Sequence, residues 1–364
     1  MSDFDIVKFL KGAVALGASD EHLKVDYAPY IRKNGTIKKI SMNILTKEDL
    51  DSAILDISPV SIKDEILKMT DVDFMYEIPN CSRFRVNYNR QLGQPALVIR
   101  NIPYKIPSLT ELELPVILNS VINYSNGIIL VTGPTGSGKS TTLASLINQI
   151  ALSSSKHIIT IEDPIEYVFK NSKSIISQRQ VDVDTTSFTD GIKYALRQDP
   201  DVIFIGEIRD KDTMAAALKA AETGHLVFST LHTNGAVQTI SRIINMFEES
   251  NRYLIRRQLA DTLRATIAQK LVYSSKNDKR YPACEVLVST PAIKDYIIKD
   301  VQDEIYNLIT ADNVDNMISM NTSLFNLVSV GKISEEEALE ASNDKNELEQ
   351  MFRGVYQGTK NYYE

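Results

Sequence analysis

Three glycines, a lysine and a serine at fixed spacing carry the clearest chemistry in this sequence. Gly133-Pro134-Thr135-Gly136-Ser137-Gly138-Lys139-Ser140, with Thr141 next, fits the phosphate-loop pattern G-x-x-x-x-G-K-[ST]. Glycines let a backbone turn its N–H groups inward on phosphate, and the N-terminus of a following helix adds partial positive charge. Lys139 can reach the β- and γ-phosphates of ATP, and the Ser140 hydroxyl can coordinate Mg²⁺. The context fits. The apolar run Ile128-Ile129-Leu130-Val131 reads as a buried strand before the loop, and Leu143, Leu146, Ile147 and Ile150 recur at helical spacing after it.

Acids close two further strand-like runs. Residues 156–161 end in Glu162-Asp163, and 202–206 end in Glu207. Ligands of parallel α/β sheets sit at the carboxyl ends of strands, so these acids fall where chemistry would occur. Glu207 reads as a Walker B acid that holds Mg²⁺, directly or through water, or polarises the attacking water. Glu166 reads equally well as a surface carboxylate. Two of the four histidines, His225 and His232, flank the run 226–231. An imidazole near a core is ordinarily a satisfied structural group, but His232 ends its strand beside the two acids, where it could sense phosphate. Neither histidine has metal-ligand spacing with Cys81 or Cys284.

The elements that must position these groups are predicted as follows. A helix over about 111–124 leads into the phosphate-loop strand. Helices cover 187–198 and 211–223, and a long helix covers 252–272, where Ile255, Leu259, Leu263, Ile267 and Leu271 recur every fourth residue. A strand near 283–289 and helices from 291 onward close the domain. Ahead of these lies a mixed section: a helix near 3–16 with a Ser2-x-x-Asp5 capping box, a hairpin around Asn34-Gly35, helical patterns near 47–56 and 60–69, and strands over 73–78, 83–90 and 95–101. In the 83–90 strand Phe84, Val86 and Tyr88 alternate with Arg83, Arg85, Asn87 and Asn89. Pattern alone makes the polar side a solvated face. Prolines mark 101–110 as a linker between a domain over 1–100 and one over 111–364.

The whole chain sets limits. Its 364 residues suffice for two or three domains, and its net charge of −7 argues against broad nucleic-acid binding. Two separated cysteines suggest neither a disulfide framework nor a structural zinc site and fit a reducing cytoplasm. The N-terminus carries Asp3, Asp5, Lys8 and Lys11 and does not read as a signal peptide. No apolar run approaches the roughly 18–20 residues of a membrane span, so membrane association is expected only peripherally, through partners.

Four segments in order, GPTGSGKSTT (133–142), ITIEDPIEY (159–167), RQDPDVIFIGEIRD (197–210) and AAETGHLVFSTLHT (220–233), resemble the PilT family of twitching-motility retraction ATPases. That family lies within the type II/type IV secretion ATPases. The resemblance implies a RecA-like P-loop ATPase domain of α/β class preceded by a smaller PAS-like α+β domain. It implies a homohexamer that hydrolyses ATP with Mg²⁺ to power pilus retraction, at the inner face of the cytoplasmic membrane and on an inner-membrane platform protein. It makes Glu162 the catalytic glutamate, Glu207 the Walker B glutamate and His225 and His232 a His box. Arg85 and Arg100 match arginines given to nucleotide at a subunit boundary, against the plain reading of their strand. Two stretches depart from the family: Glu21 stands where an apolar residue is usual, and 292–297 reads AIKDYI against a motif like AIRNLI. Alternatives are a compact secretion or pilus-assembly ATPase, a nucleotide-binding scaffold, and a RecA-like nucleic-acid motor.

Overall fold

The computed structural model describes residues 4–102, 104–170, 172–310 and 317–354. The chain divides into two compact units, Met1–Lys105 and Ile106–Glu364. Within the expected linker, residues 101–102 complete a strand of the first unit, Leu109 is buried in the core of the second, and Pro103 lies outside the described residues.

The first unit contains α1 (Ile6–Ala15), β1 (Asp20–Lys24), β2 (Tyr30–Lys33), β3 (Thr36–Lys39), α2 (Lys47–Ile57), β4 (Asp71–Ile78), β5 (Ser82–Gln91) and β6 (Gln94–Ile102). Among the described residues the strands make an antiparallel sheet in the order β3-β2-β1-β6-β5-β4. One sheet face and the apolar stripes of both helices share a core around Leu10, Leu23, Leu50, Ile54, Phe84 and Val86. Asp5 itself caps α1, accepting from Lys8 N at 2.9 Å, and Ser2 of the expected box lies outside the described residues. Thr46 and Asp49 form the reciprocal capping box of α2. The β2–β3 turn places Asn34 and Gly35 at φ 51° and 85°, as a two-residue hairpin requires. The helical pattern near 60–69 is instead a run of turns with one 3₁₀ turn at Ile66–Lys68. Val60 is 91% exposed, so the segment buries no continuous apolar face that would hold a helix.

The second unit contains α3 (Leu118–Val121), β7 (Gly127–Thr132), α4 (Lys139–Ser153), β8 (His157–Glu162), β9 (Ile175–Gln180), α5 (Phe188–Ala195), β10 (Val202–Ile205), α6 (Lys211–Glu222), β11 (Leu226–Leu231), α7 (Ala236–Asn245), α8 (Glu249–Thr262), β12 (Leu263–Ser274), β13 (Lys279–Val288), α9 (Pro291–Lys299), α10 (Gln302–Thr310), α11 (Met320–Ser329), α12 (Glu335–Ala341) and α13 (Lys345–Phe352). Its described strands lie in the order β13-β12-β7-β11-β10-β8-β9, and every pairing is parallel except β12–β13. Helices cover both faces, so β7, β10 and β11 are buried throughout, as parallel strands with crossover helices must be.

Two predicted helices are corrected. The helix expected over 111–124 shrinks to Leu118–Val121, because Pro115 lacks the donor that a continuous helix needs there. The long helix expected over 252–272 ends at Thr262, and the remainder is strand β12. A four-residue step is even, so it repeats on one face of a strand as well as on one face of a helix. Burial by β7 and β13 on either side decides the matter for Leu263 and Ile267.

Candidate active site

The strand β7, buried throughout, delivers the phosphate loop, and α4 begins at Lys139 directly after Gly138 at φ 88°. Pro134, Thr135 and Gly136 form the exposed lip, while Ser137 and Lys139 are buried. Lys139 Nζ donates to the carbonyl oxygens of Gly133 (2.9 Å) and Pro134 (3.0 Å), so the ammonium is held across the mouth of the loop. Burial pushes its pKa down, opposed by the carboxylates of Glu207 and Glu166. Among the described residues the buried Ser137 hydroxyl has no hydrogen-bond partner. Thr141 Oγ1 lies 3.0 Å from Tyr167 Oη, which ties α4 to the segment after β8.

Parallel strands share a carboxyl edge, and this edge gathers the other predicted groups. From β7 outward the strand ends are those of β11, β10 and β8. They carry His232, Glu207 and Glu162 respectively. Glu207 Oε2 is 3.5 Å from His232 Nε2, and its other oxygen pairs with Arg209. Glu162 is 5% exposed. Its Oε1 accepts from Thr160 Oγ1 (2.8 Å) and Gln178 Nε2 (3.2 Å), and its Oε2 from Glu166 N (3.4 Å). Burial raises the Glu162 pKa to about 7, against the pull of those donors. A carboxylate poised there can accept a proton near neutrality.

One predicted group does not join them. His225 immediately precedes β11, at the amino end of that strand and so on the opposite edge of the sheet. It lies seven positions before His232, about 23 Å along a strand. Its Nδ1 lies 3.0 Å from Ala220 O and 3.1 Å from Thr223 Oγ1, a local arrangement at the end of α6. Within the described residues of one chain His225 stands apart from Lys139, Glu162, Glu207 and His232, and its place in a His box is what the family resemblance implies.

Arg85 and Arg100 belong to the first unit. They stand directly opposite each other on β5 and β6 and so share a sheet face. Across β1 the row continues with Asp20, whose Oδ1 is 2.9 Å from Arg100 Nε, and then Arg32 on β2. Arg85 Nε is 3.9 Å from Asp73. The opposite face of β1 buries Glu21 completely, with Asn101 Nδ2 donating to its Oε1 at 2.7 Å and Oε2 without a partner among the described residues. Burial, the largest effect, raises the Glu21 pKa to about 8.

Sequence reasoning missed Thr160, Gln178 and Gln269. Gln178 lies on β9, whose sequence IISQRQ lacks the apolar run that marks a buried strand. Gln269 was hidden because β12 read as helix. Its Nε2 donates to Ser137 O (2.7 Å), and its Oε1 accepts from Thr142 Oγ1 (2.7 Å).

A strand that ends in a glycine loop, a lysine and a hydroxyl on a helix N-terminus, beside carboxylates on neighbouring strand ends, is how P-loop ATPases hold and cleave ATP. The second unit has that construction, with a RecA-like sheet, and the smaller α+β unit before it is PAS-like. The relatives say which P-loop ATPases these are. The model of the Type II/IV secretion system protein family matches residues 76–360, and the chain belongs to that family. It is 39% identical over 337 residues to the type IV pilus retractation ATPase PilT of Pseudomonas aeruginosa, covering 92% of this chain and 97% of that one. A twitching motility protein of Neisseria gonorrhoeae is 40% identical over 311 residues, 85% and 83% of the two chains. The crystal structure of the pilus retraction motor PilT with bound ADP superposes with a TM-score of 0.86 at 41% identity, over 96% of this chain and 100% of that one. The Legionella pneumophila ATPase DotB gives 0.81 at 30% identity, over 92% and 95%.

Proposed function

We propose that this chain is a motor ATPase that powers type IV pilus retraction, working as a homohexamer on an inner-membrane platform protein at the cytoplasmic face. The observation that carries the reading is its likeness, over nearly the full length, to the Pseudomonas retractation ATPase. The nucleotide is expected to seat its phosphates against the N–H groups of 133–141, with Lys139 exchanging the Gly133 and Pro134 carbonyls for phosphate oxygen. A Mg²⁺ ion fits the donor set: the Ser140 hydroxyl and Glu207 carboxylate are hard oxygen ligands. Among the described residues no group of three His, Cys, Asp or Glu could hold a metal alone, so the ion would be shared with the nucleotide. When bound, it neutralises charge on the phosphates.

Glu162 orients the attacking water and accepts its proton. Glu207, here paired with Arg209, would hold the ion directly or through water, and His232, 3.5 Å from Glu207, would sense the γ-phosphate and pass its presence to α7, which begins four residues on. Arg85 and Arg100 extend charge to a neighbouring subunit's nucleotide, a role worth on the order of 10³–10⁵ in rate elsewhere. Deletion of the gene tests the whole reading. Cells that keep their pili but cannot twitch fit a retraction motor, and bald cells refute it. A specific observation favours a second reading: the matching family is that of Type II/IV secretion system proteins, and the AIKDYI stretch departs from the retraction motif, which fits a compact secretion ATPase. Loss of a secreted protein with pili and twitching intact would choose it.

A further inference from the structure

We infer that Gln269 is a positioning residue for nucleotide binding, one that fixes the phosphate loop in its phosphate-accepting shape. The inference rests on the nucleotide-site reading above. Strand β12 runs past its last pairing with β7, Ala268 opposite Thr132, so Gln269 comes level with the loop. Its side chain is buried, and its two amide ends grip Ser137 O and Thr142 Oγ1, both at 2.7 Å. One side chain thereby ties the loop to the first turn of α4.

The grip has a directional consequence. In a trans peptide the C=O and the next N–H point opposite ways. Holding Ser137 O toward Gln269 therefore aims the Gly138 N–H away from it, toward the side where phosphate would lie. The close approach is built in at both ends of the loop. A Cβ on Gly133 would come 2.3 Å from Gln269 O, and one on Gly138 would come 2.8 Å from Gln269 Nε2. The loop is otherwise held by Lys139 Nζ on the Gly133 and Pro134 carbonyls and by Ser137 N to Pro134 O at 3.2 Å, and none of these bonds engages the Ser137 carbonyl. Without Gln269 the Ser137 carbonyl is buried and unsatisfied, and the loop spreads over other shapes. The apparent dissociation constant for nucleotide then rises by the inverse of the competent fraction.

The test uses the full chain, ADP titration by calorimetry and steady-state ATP hydrolysis. Gln269→Met keeps the length and loses both polar atoms. Gln269→Glu keeps the acceptor for Thr142 but sets an acceptor against the Ser137 carbonyl. Thr142→Val removes one hydroxyl only. ADP binding is expected to weaken severalfold in Thr142→Val, on the order of tenfold in Gln269→Met and further in Gln269→Glu, with the KM for ATP following and kcat changing less. Wild-type ADP affinity in folded Gln269→Glu and Thr142→Val overturns the inference. So does a reduced binding stoichiometry at unchanged affinity, the mark of a residue needed only for folding. Wild-type protein that binds no ADP would instead overturn the nucleotide-site reading, and this inference with it.

Discussion

Glu162 gives the sharpest test of the chemistry, because its surroundings set the pH at which it can act. Its pKa stands at about 7. A general base must be ionised, so kcat/KM, which reports the free enzyme, rises as pH increases through that value. At pH 6 roughly one-tenth of the carboxyl is ionised and at pH 8 roughly nine-tenths, a tenfold change in kcat/KM. Gln178 donates to Glu162 Oε1 and stabilises the ionised form, so Gln178→Leu moves the acid limb to higher pH. The nucleotide's own titration is the same for both proteins and cannot move with that substitution. Glu162→Gln removes the limb and costs on the order of 10²–10⁴ in rate. The assay is phosphate release at low substrate from pH 6 to 8, at fixed ionic strength and saturating Mg²⁺. A flat wild-type profile, or the same limb surviving in Glu162→Gln, refutes the assignment.

Three further expectations follow from the geometry. Lys139→Ala loses phosphate release by orders of magnitude, because the loop then lacks the cation that faces the phosphates; near-normal turnover would contradict this. Gly133→Ala abolishes ADP binding in a calorimeter, since its Cβ would meet Gln269 O at 2.3 Å at a φ of +145°. Glu21→Gln alters the pH dependence of stability: with the folded pKa at about 8, above that of the unfolded chain, neutral Glu21 stabilises fully below about pH 4.5 and that contribution disappears as pH rises through 8. Each unit corresponds to ~1.4 kcal/mol, so wild type loses a few kcal/mol relative to Glu21→Gln between pH 6 and 8.5, read as the difference in melting temperature; parallel curves would show Glu21 ionised when folded.

Much of the site was legible before any coordinates. Short buried strands that run into Gly133, Glu162, Glu207 and His232 announce their own ends, and parallel pairing then forces those ends onto one edge. The segment 263–274 was not legible, because Leu263, Ile267 and Leu271 satisfy helical and extended spacing alike. Gln269 went with it, since a grip on Ser137 and Thr142 across more than a hundred residues leaves no local trace. His225 entered only through the family resemblance, and the structure sets it at the opposite end of β11 from His232. The first unit's hairpin was legible from Asn34-Gly35 alone, while Val60 to Met69 carried apolar residues that nothing buries as a helix.

The strand order has one more implication. Adjacent strands are about 4.8 Å apart, so the carboxyl edge works as a ruler, and β7 to β8 measures three divisions, about 14 Å. A γ-phosphate and its attacking water occupy far less than that. The gap must be closed by side-chain length, with Lys139 reaching from one end and Glu162 from the other. Shortening either reach by a single methylene, as in Glu162→Asp, keeps the charge yet widens the gap by roughly 1.5 Å, about a third of a division. On this edge, distance is as much a part of a residue's identity as its acidity.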